Sequence, residues 1–176
     1  MARRVYKQAY HGTYWPRPRA YDSQWEPFTD LDSEYSDYGA VWFTQVEEDA
    51  EWFVKWRSDS INPKDDTSVM FRAYLSLPNS LIVTARQFEL KALELDEHPS
   101  QVQMRDFWED APNGGFDAVI TPANYRHGGD DIAVFSSDYK ITGIKIKLPG
   151  QDWTDYMETE AAVSLFKQFW GWTEDE

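Results

Sequence analysis

The sequence predicts a single α+β domain, rich in strands, spanning residues 1–176. Three observations carry this. The chain has 176 residues, 41% of them hydrophobic, which is one ordinary domain with enough apolar material for a core. Apolar residues alternate at Val69, Phe71, Ala73, Leu75 and Leu77, and again at Ile144, Ile146 and Leu148, which is the period of a strand with one buried face. Glu47–Arg57 and Thr159–Trp170 read instead as helices. The first has acids crowded into its opening turn and Lys55 and Arg57 near its end, as the helix dipole favours, and the second is amphipathic.

The remaining elements follow in order. Val5–Tyr10 is short and β-prone and ends at His11-Gly12-Thr13. Residues 15–38 carry Pro16, Pro18 and Pro27 among several Asp and Ser, so they read as a long irregular loop. Gly39–Thr44 reads as the next strand. Pro78-Asn79 predicts a turn after the alternating strand, with Leu81–Val83 as another strand beyond it. Phe88–Glu97 and Ser100–Asp110 look helical, and Pro112–Gly115 is a turn. Phe116–Ile120, Asp131–Phe135 and Ile141–Leu148 complete the strands. No internal repeat, heptad run or low-complexity tract interrupts the chain.

Charge and composition exclude several classes. The net charge of −14 argues against a non-specific nucleic-acid binder, which needs a basic face. With no cysteine there is no disulfide, thiol nucleophile or cysteine-based zinc site. The three histidines lack metal-type spacing, and no metal site is expected. No apolar run spans a bilayer, and Met1-Ala-Arg-Arg-Val-Tyr-Lys7 precedes no apolar signal core. A cytoplasmic protein without a membrane partner is therefore expected. The charge is unevenly spread. Residues 1–20 hold Arg3, Arg4, Lys7, Arg17 and Arg19 and no acid, whereas 21–60 and 152–176 are strongly acidic. A basic segment on an acidic body suits a phosphate-bearing ligand at one cleft, or the two regions pair within the fold. Trp 9, Tyr 10 and Phe 10 are an unusual number of aromatics, either core volume or the lining of a groove for a flat ligand.

The phosphate-cradling patterns G-x-G-x-x-G and G-x-x-x-x-G-K-[ST] are missing, as is the G-x-S-x-G nucleophile elbow. What remains is an ordered set of blocks. Tyr10-His11-Gly12-Thr13 is followed by the Pro-rich loop, then Gly39-Ala-Val-Trp-Phe-Thr44 and Ala50-Glu-Trp-Phe53. Ala73–Val83, Gly115–Ile120 and Asp131-Ile-Ala-Val-Phe135 come next, ahead of Ile141–Lys145. This order resembles the ADP-ribosyltransferase superfamily of the diphtheria-toxin and poly(ADP-ribose) polymerase type, in particular its small bacterial and phage members. The resemblance covers residues 5–147, and 148–176 lie outside it as a C-terminal extension with a helix.

The resemblance implies two packed, mainly antiparallel sheets around an NAD-binding cleft, with helices outside. It implies NAD⁺ as co-substrate and a mono-ADP-ribosyltransferase that modifies a macromolecule, as a toxin, effector or phage-encoded modifier. The acceptor is expected to be a host protein rather than a nucleic acid, with a cognate antitoxin or immunity protein as a further partner. By the family's motifs, His11 holds a ribose hydroxyl and the Gly12 backbone holds the nicotinamide carboxamide, beside Thr13. Trp42 takes the place of the second signature aromatic, Thr44 the pocket wall, and Trp52 or Phe53 the ring that stacks on nicotinamide. Asp131 takes the place of the catalytic glutamate. Arg17 or Arg19, the basic groups close after His11, would reach the diphosphate. Two departures stand out: Trp42 replaces a tyrosine, and Asp131 is shorter than glutamate by about 1.5 Å of reach. Asp130 next to it is a second candidate carboxylate. Taken alone, each residue also has a plain structural reading: Trp42 and Trp52 as packing, the Asp pair as turn chemistry. The imperfect catalytic set and the acidity also fit a different class, a non-enzymatic inhibitor on the same fold that blocks a basic partner.

Overall fold

The computed structural model describes residues 2–18, 28, 31, 40–58, 64–122, 128–135 and 139–172. Among these the chain forms β1 (Ala2–Trp15), β2 (Val41–Thr44), α1 (Glu47–Ser58), β3 (Thr67–Ile82) and α2 (Ala85–Leu95). A 3-10 turn (Pro99–Gln101), α3 (Arg105–Asp110), β4 (Ala118–Thr121), β5 (Asp131–Val134), β6 (Tyr139–Lys147) and α4 (Thr159–Phe169) follow. The class is α+β. Most of the expected loop 15–38, with Gly39, Arg19 and His127, lies outside the described residues. No helix among the described residues is long and apolar enough to cross a membrane.

The strands form one six-stranded sheet in the order β1-β2-β5-β4-β3-β6, and β1 also pairs with β3. The first five strands in that order therefore close into a ring. This corrects the expectation of two packed sheets. The reason is β3, whose 16 residues serve both halves. One of its edges pairs with β1 from Trp15↔Thr67 to Ala2↔Ser80. The other edge pairs antiparallel with β6 over Ser68–Leu75 and then parallel with β4 over Ser80–Ile82.

That change of partner also explains Pro78. The expected turn at Pro78-Asn79 does not form, and the strand runs through it. Proline lacks the N–H a ladder needs, so it is tolerated where pairing lapses. On the far edge Pro78 falls between the β6 and β4 registers. On the near edge the β1 register shifts between Ala2 and Arg4, opposite Ser80 and Leu77. The expected helix Ser100–Asp110 is likewise split. His98 caps the 3-10 turn, accepting from the Ser100 N–H, and α3 starts only at Arg105. The first strand is longer than expected, and His11-Gly12-Thr13 lies inside it rather than at its end.

Alternation along the strands feeds two clusters. Val41, Phe43, Phe71, Leu75, Ile120, Ile132 and Ile144 share one core with Phe28 and, from α4, Phe166. Val119 and Ala133 face the other way, into a second core with Ala92, Phe107 and Ala111 from α2 and α3. A third, smaller cluster joins α1 to the outer side of β1 and β3 through Ala50, Val54 and Met70.

Gly12 sets the depth of that third contact. A Cβ on Gly12 would lie 2.3 Å from the Ala50 carbonyl oxygen and 2.7 Å from Val54 Cγ2. The obstacle is helix backbone, so the helix itself must move to admit a side chain. Gly12→Ala is expected to lower unfolding free energy by about 2 kcal/mol or more. Urea denaturation checks this, and an unchanged midpoint would contradict the packing described.

Candidate functional site

The candidate site builds up from the seam between β1 and β2. These strands are registered at one pair, Tyr10↔Thr44, although both continue beyond it. Thr44 is in turn registered with Asp131 of β5, and Asp131 with Thr121 of β4. One row across four strands thus brings β1, β2 and the expected catalytic carboxylate to the same level. Where β1 leaves β2, His11 spans the gap. Its Nδ1 lies 2.5 Å from the Trp42 carbonyl oxygen. A carbonyl can only accept, so Nδ1 donates to it, and in a neutral ring Nε2 is then the accepting nitrogen. The imidazole rests against Phe43 and Phe71, with ring centroids 5.9 and 6.0 Å away. It therefore faces the ring core.

Trp42 faces the opposite way. Its neighbours on β2, Val41 and Phe43, belong to the ring core, and its own indole meets Trp108 edge-on at 4.3 Å in the second core. The alternation of β5 puts Asp131 on that same outer face, because Ile132 points into the ring core and Ala133 into the second core. The seam thus unites the backbones of His11, Trp42, Thr44 and Asp131, but their side chains lie on two faces of the sheet. Thr44 is buried, and its hydroxyl donates to the Val46 carbonyl at 2.9 Å.

The carboxylate on the ring-core side is Asp130. It accepts a hydrogen bond from the Tyr6 hydroxyl at 2.6 Å, and Tyr6 belongs to the ring core. Gln45 brackets the main chain of Asp130: Gln45 N donates to the Asp130 carbonyl at 2.9 Å, and Asp130 N donates to Gln45 Oε1 at 3.1 Å. Burial, and then the hydrogen bond to Asp130, push the Tyr6 phenol well above its ordinary value.

The other expected site residues sit apart. Thr13, on β1 two residues beyond His11 and on the same face, is registered with Val69 of β3. Trp52 and Phe53 are on α1, their rings edge-to-face at 5.4 Å, and Trp52 lies 40% exposed on the side away from Ala50 and Val54. The Arg17 guanidinium stacks over Trp170, 5.0 Å from the ring centre. Among the described residues no group of three or more His, Asp or Glu could hold a metal.

Sequence reasoning did not single out a second polar centre on the outer side of β3 and β6. Lys145 is 8% exposed, ion-paired with Glu47 and, at 3.2 Å, with Glu51 of α1. Its ammonium also faces Trp153 at 4.9 Å and Tyr156 at 5.5 Å. The Tyr156 hydroxyl donates to Glu47 at 3.0 Å, and Arg72 covers the other part of that ring at 4.4 Å. Burial lowers the Lys145 pKa, but its bonds to Glu47 and Glu51 outweigh this and leave it raised. Burial and Glu47 also raise Tyr156 far above an ordinary phenol. The signal available in the sequence was a lysine between Ile144 and Ile146, a charge on a buried strand. Beside this centre lies a cavity of about 190 Å³ bordered by Tyr14, Glu51, Lys55, Lys147 and Trp153.

Compared with known proteins, the chain matches no protein-family model, and no curated protein matches it significantly.

The phenols of Tyr6, which is buried, and Tyr156, which is half-buried, predict an alkaline transition. Each holds its proton more tightly folded than unfolded, where it ionises near pH 10. The folded state then binds more protons than the unfolded state, so stability is fully present below about pH 10 and falls as pH rises beyond it. The slope is at most about 1.4 kcal/mol per pH unit for each tyrosine. Urea titrations from neutral to alkaline pH should show this, and Tyr6→Phe and Tyr156→Phe should each flatten it. A slope untouched by both substitutions would contradict the assignment.

Proposed function

We infer that the chain is a mono-ADP-ribosyltransferase that takes ADP-ribose from NAD⁺ and transfers it to a host protein, as a toxin, effector or phage-encoded modifier. The observation that carries this reading is the imidazole of His11 bridging the parted β1 and β2 at the Trp42 carbonyl. The ordered motifs lead to an NAD⁺ pocket at this seam. A proton on Nδ1 leaves Nε2 as the nitrogen suited to accept from a ribose hydroxyl. Gly12 supports the same reading. Its α-carbon is covered by Ala50, so a ligand can meet only its main chain, which is what a carboxamide would use.

In the proposed reaction the bond between ribose C1′ and the nicotinamide nitrogen breaks, and its electron pair leaves with nicotinamide. A nucleophile of the acceptor bonds to C1′ and gives up its proton to a base or to water. Positive charge develops on the ribose in between, and a nearby carboxylate stabilises it. Asp131 is the carboxylate given by the motif. Asp130 is the one on the face of His11, anchored by Tyr6. The motif further gives Trp52 or Phe53 for the nicotinamide ring and Arg17 or Arg19 for the diphosphate; of these, Arg17 stacks on Trp170 and Trp52 lies on the exposed side of α1, so they must approach the seam when NAD⁺ binds.

One observation favours the alternative, an acidic inhibitor without catalysis. The side chains of His11 and of the pair Trp42 and Asp131 lie on opposite faces of the sheet. An inhibitor would block a basic partner through charge, and its potency would fall steeply with ionic strength.

Incubating the protein with NAD⁺ and host lysate, followed by mass spectrometry, separates these readings. The transfer reading expects a mass increment of one ADP-ribose on an acceptor, whereas free ADP-ribose alone would indicate hydrolysis of NAD⁺. Asp130→Asn or Asp131→Asn should slow turnover about a hundredfold with little change in NAD⁺ affinity, whichever carboxylate is the stabiliser. If both variants keep full potency with and without NAD⁺, the transferase reading fails and the inhibitor reading stands.

A further inference from the structure

The outer face of α2 carries two exposed leucines, Leu90 at 43% and Leu93 at 80% exposure. A short helix usually turns such residues inward, and α2 does so with Phe88 and Ala92, which join the second core. Beside Leu90 opens a groove of about 390 Å³ walled by Leu81, Phe107 and Phe116, with Glu94 and Asp110 among its lining. Lys91 lies in the same groove, but its ammonium is already engaged by Glu94 at 3.2 Å and Asp110 at 3.1 Å. Both carboxylates remain largely open to solvent, at 63% and 66% side-chain exposure. Glu89, Glu97 and Glu109 are exposed nearby. From Ala85 to Asp110 the chain carries seven acids against Arg86, Lys91 and Arg105. The patch is thus apolar at its centre and acidic around it.

We propose that this face of α2 is a docking surface for a basic amphipathic helix of a partner protein, whose apolar stripe covers Leu90 and Leu93 and whose Lys or Arg side chains meet the acidic surround. The charge selects this occupant. A second copy of the chain would bring another −14, and an anionic membrane would be repelled by the same acids. The apolar centre needs cover that an unstructured basic segment would not supply. This surface is independent of the proposed NAD⁺ chemistry, which lies at the β1–β2 seam.

The test uses the full chain and a fluorescent synthetic peptide of about four helical turns, with a leucine stripe on one face and lysines on the other. Fluorescence anisotropy should show binding that weakens steeply with added salt. Leu90→Gln with Leu93→Gln keeps the charge and should weaken binding at least about tenfold. Both sites are exposed, so the melting temperature should hold, and Leu93→Gln alone should still weaken binding. Glu94→Gln with Asp110→Asn should weaken binding at low salt and lose its effect at high salt. The proposal is overturned if the peptide does not bind, if the leucine variants bind as the parent does, or if a peptide with glutamates in place of lysines binds equally. Concentration-dependent dimers abolished by Leu93→Gln, or binding to phosphatidylcholine vesicles abolished by it, would assign the face to a second copy or to lipid and overturn the proposal as well.

Discussion

The register of β1 against β3 is the constraint on which the rest depends. It runs from Ala2↔Ser80 to Trp15↔Thr67 and closes the ring of strands. Because side chains alternate, the same register turns His11 inward against Phe43 and Phe71 and turns Gly12 outward beneath α1. A slip by one residue would drive an imidazole into the Ala50 carbonyl and leave glycine opposite the two phenylalanines. The seat of α1, the position of the candidate site and the closure of the sheet therefore share one cause. The irregularities of the ladder lie away from His11, at Ala2/Arg4 and Tyr6/Ala9.

Much of the fold was legible because burial writes a period into the sequence. The alternation from Val69 to Leu77 marks the buried face of β3, and the acids of Glu47, Glu48 and Asp49 mark the start of α1. What was not legible depends on partners distant in the chain. Pro78-Asn79 reads locally as a turn, and only the handover from β6 to β4 makes it tolerable within a strand. His11-Gly12-Thr13 has no apolar alternation to extend β1, which is held there by β3. One sheet or two is a matter of long-range pairing, and no local pattern records it.

The candidate site shows the same division. The blocks around His11, Thr44 and Asp131 could be picked out, and they do meet in one row of strands. The facing of their side chains could not be read. Val41-Trp42-Phe43 is apolar throughout, so it carries no mark of inside and outside, and Trp108 claims the indole. The bond from Tyr6 to Asp130 joins residues 124 apart in sequence. The C-terminal segment, outside the family resemblance, supplies Trp153 and Tyr156 to the Lys145 centre and bridges to β6 through Ile144↔Met157. Many of the aromatics are thereby accounted for as core volume or as faces for Arg17, Arg72, Lys145 and Lys167. The aromatic count alone therefore does not require a ligand groove.

The central claim is that His11, at the parted seam of β1 and β2, is where NAD⁺ is held. The most direct measurement is long-range proton–nitrogen NMR of the imidazoles, with His11→Gln assigning the signal. The account predicts that His11 carries its proton on Nδ1, and that its Nε2 resonance shifts on titration with NAD⁺ while that of His98, the cap of the 3-10 turn, stays in place. A His11 signal that does not move at saturating NAD⁺, or a proton found on Nε2 alone, would contradict it.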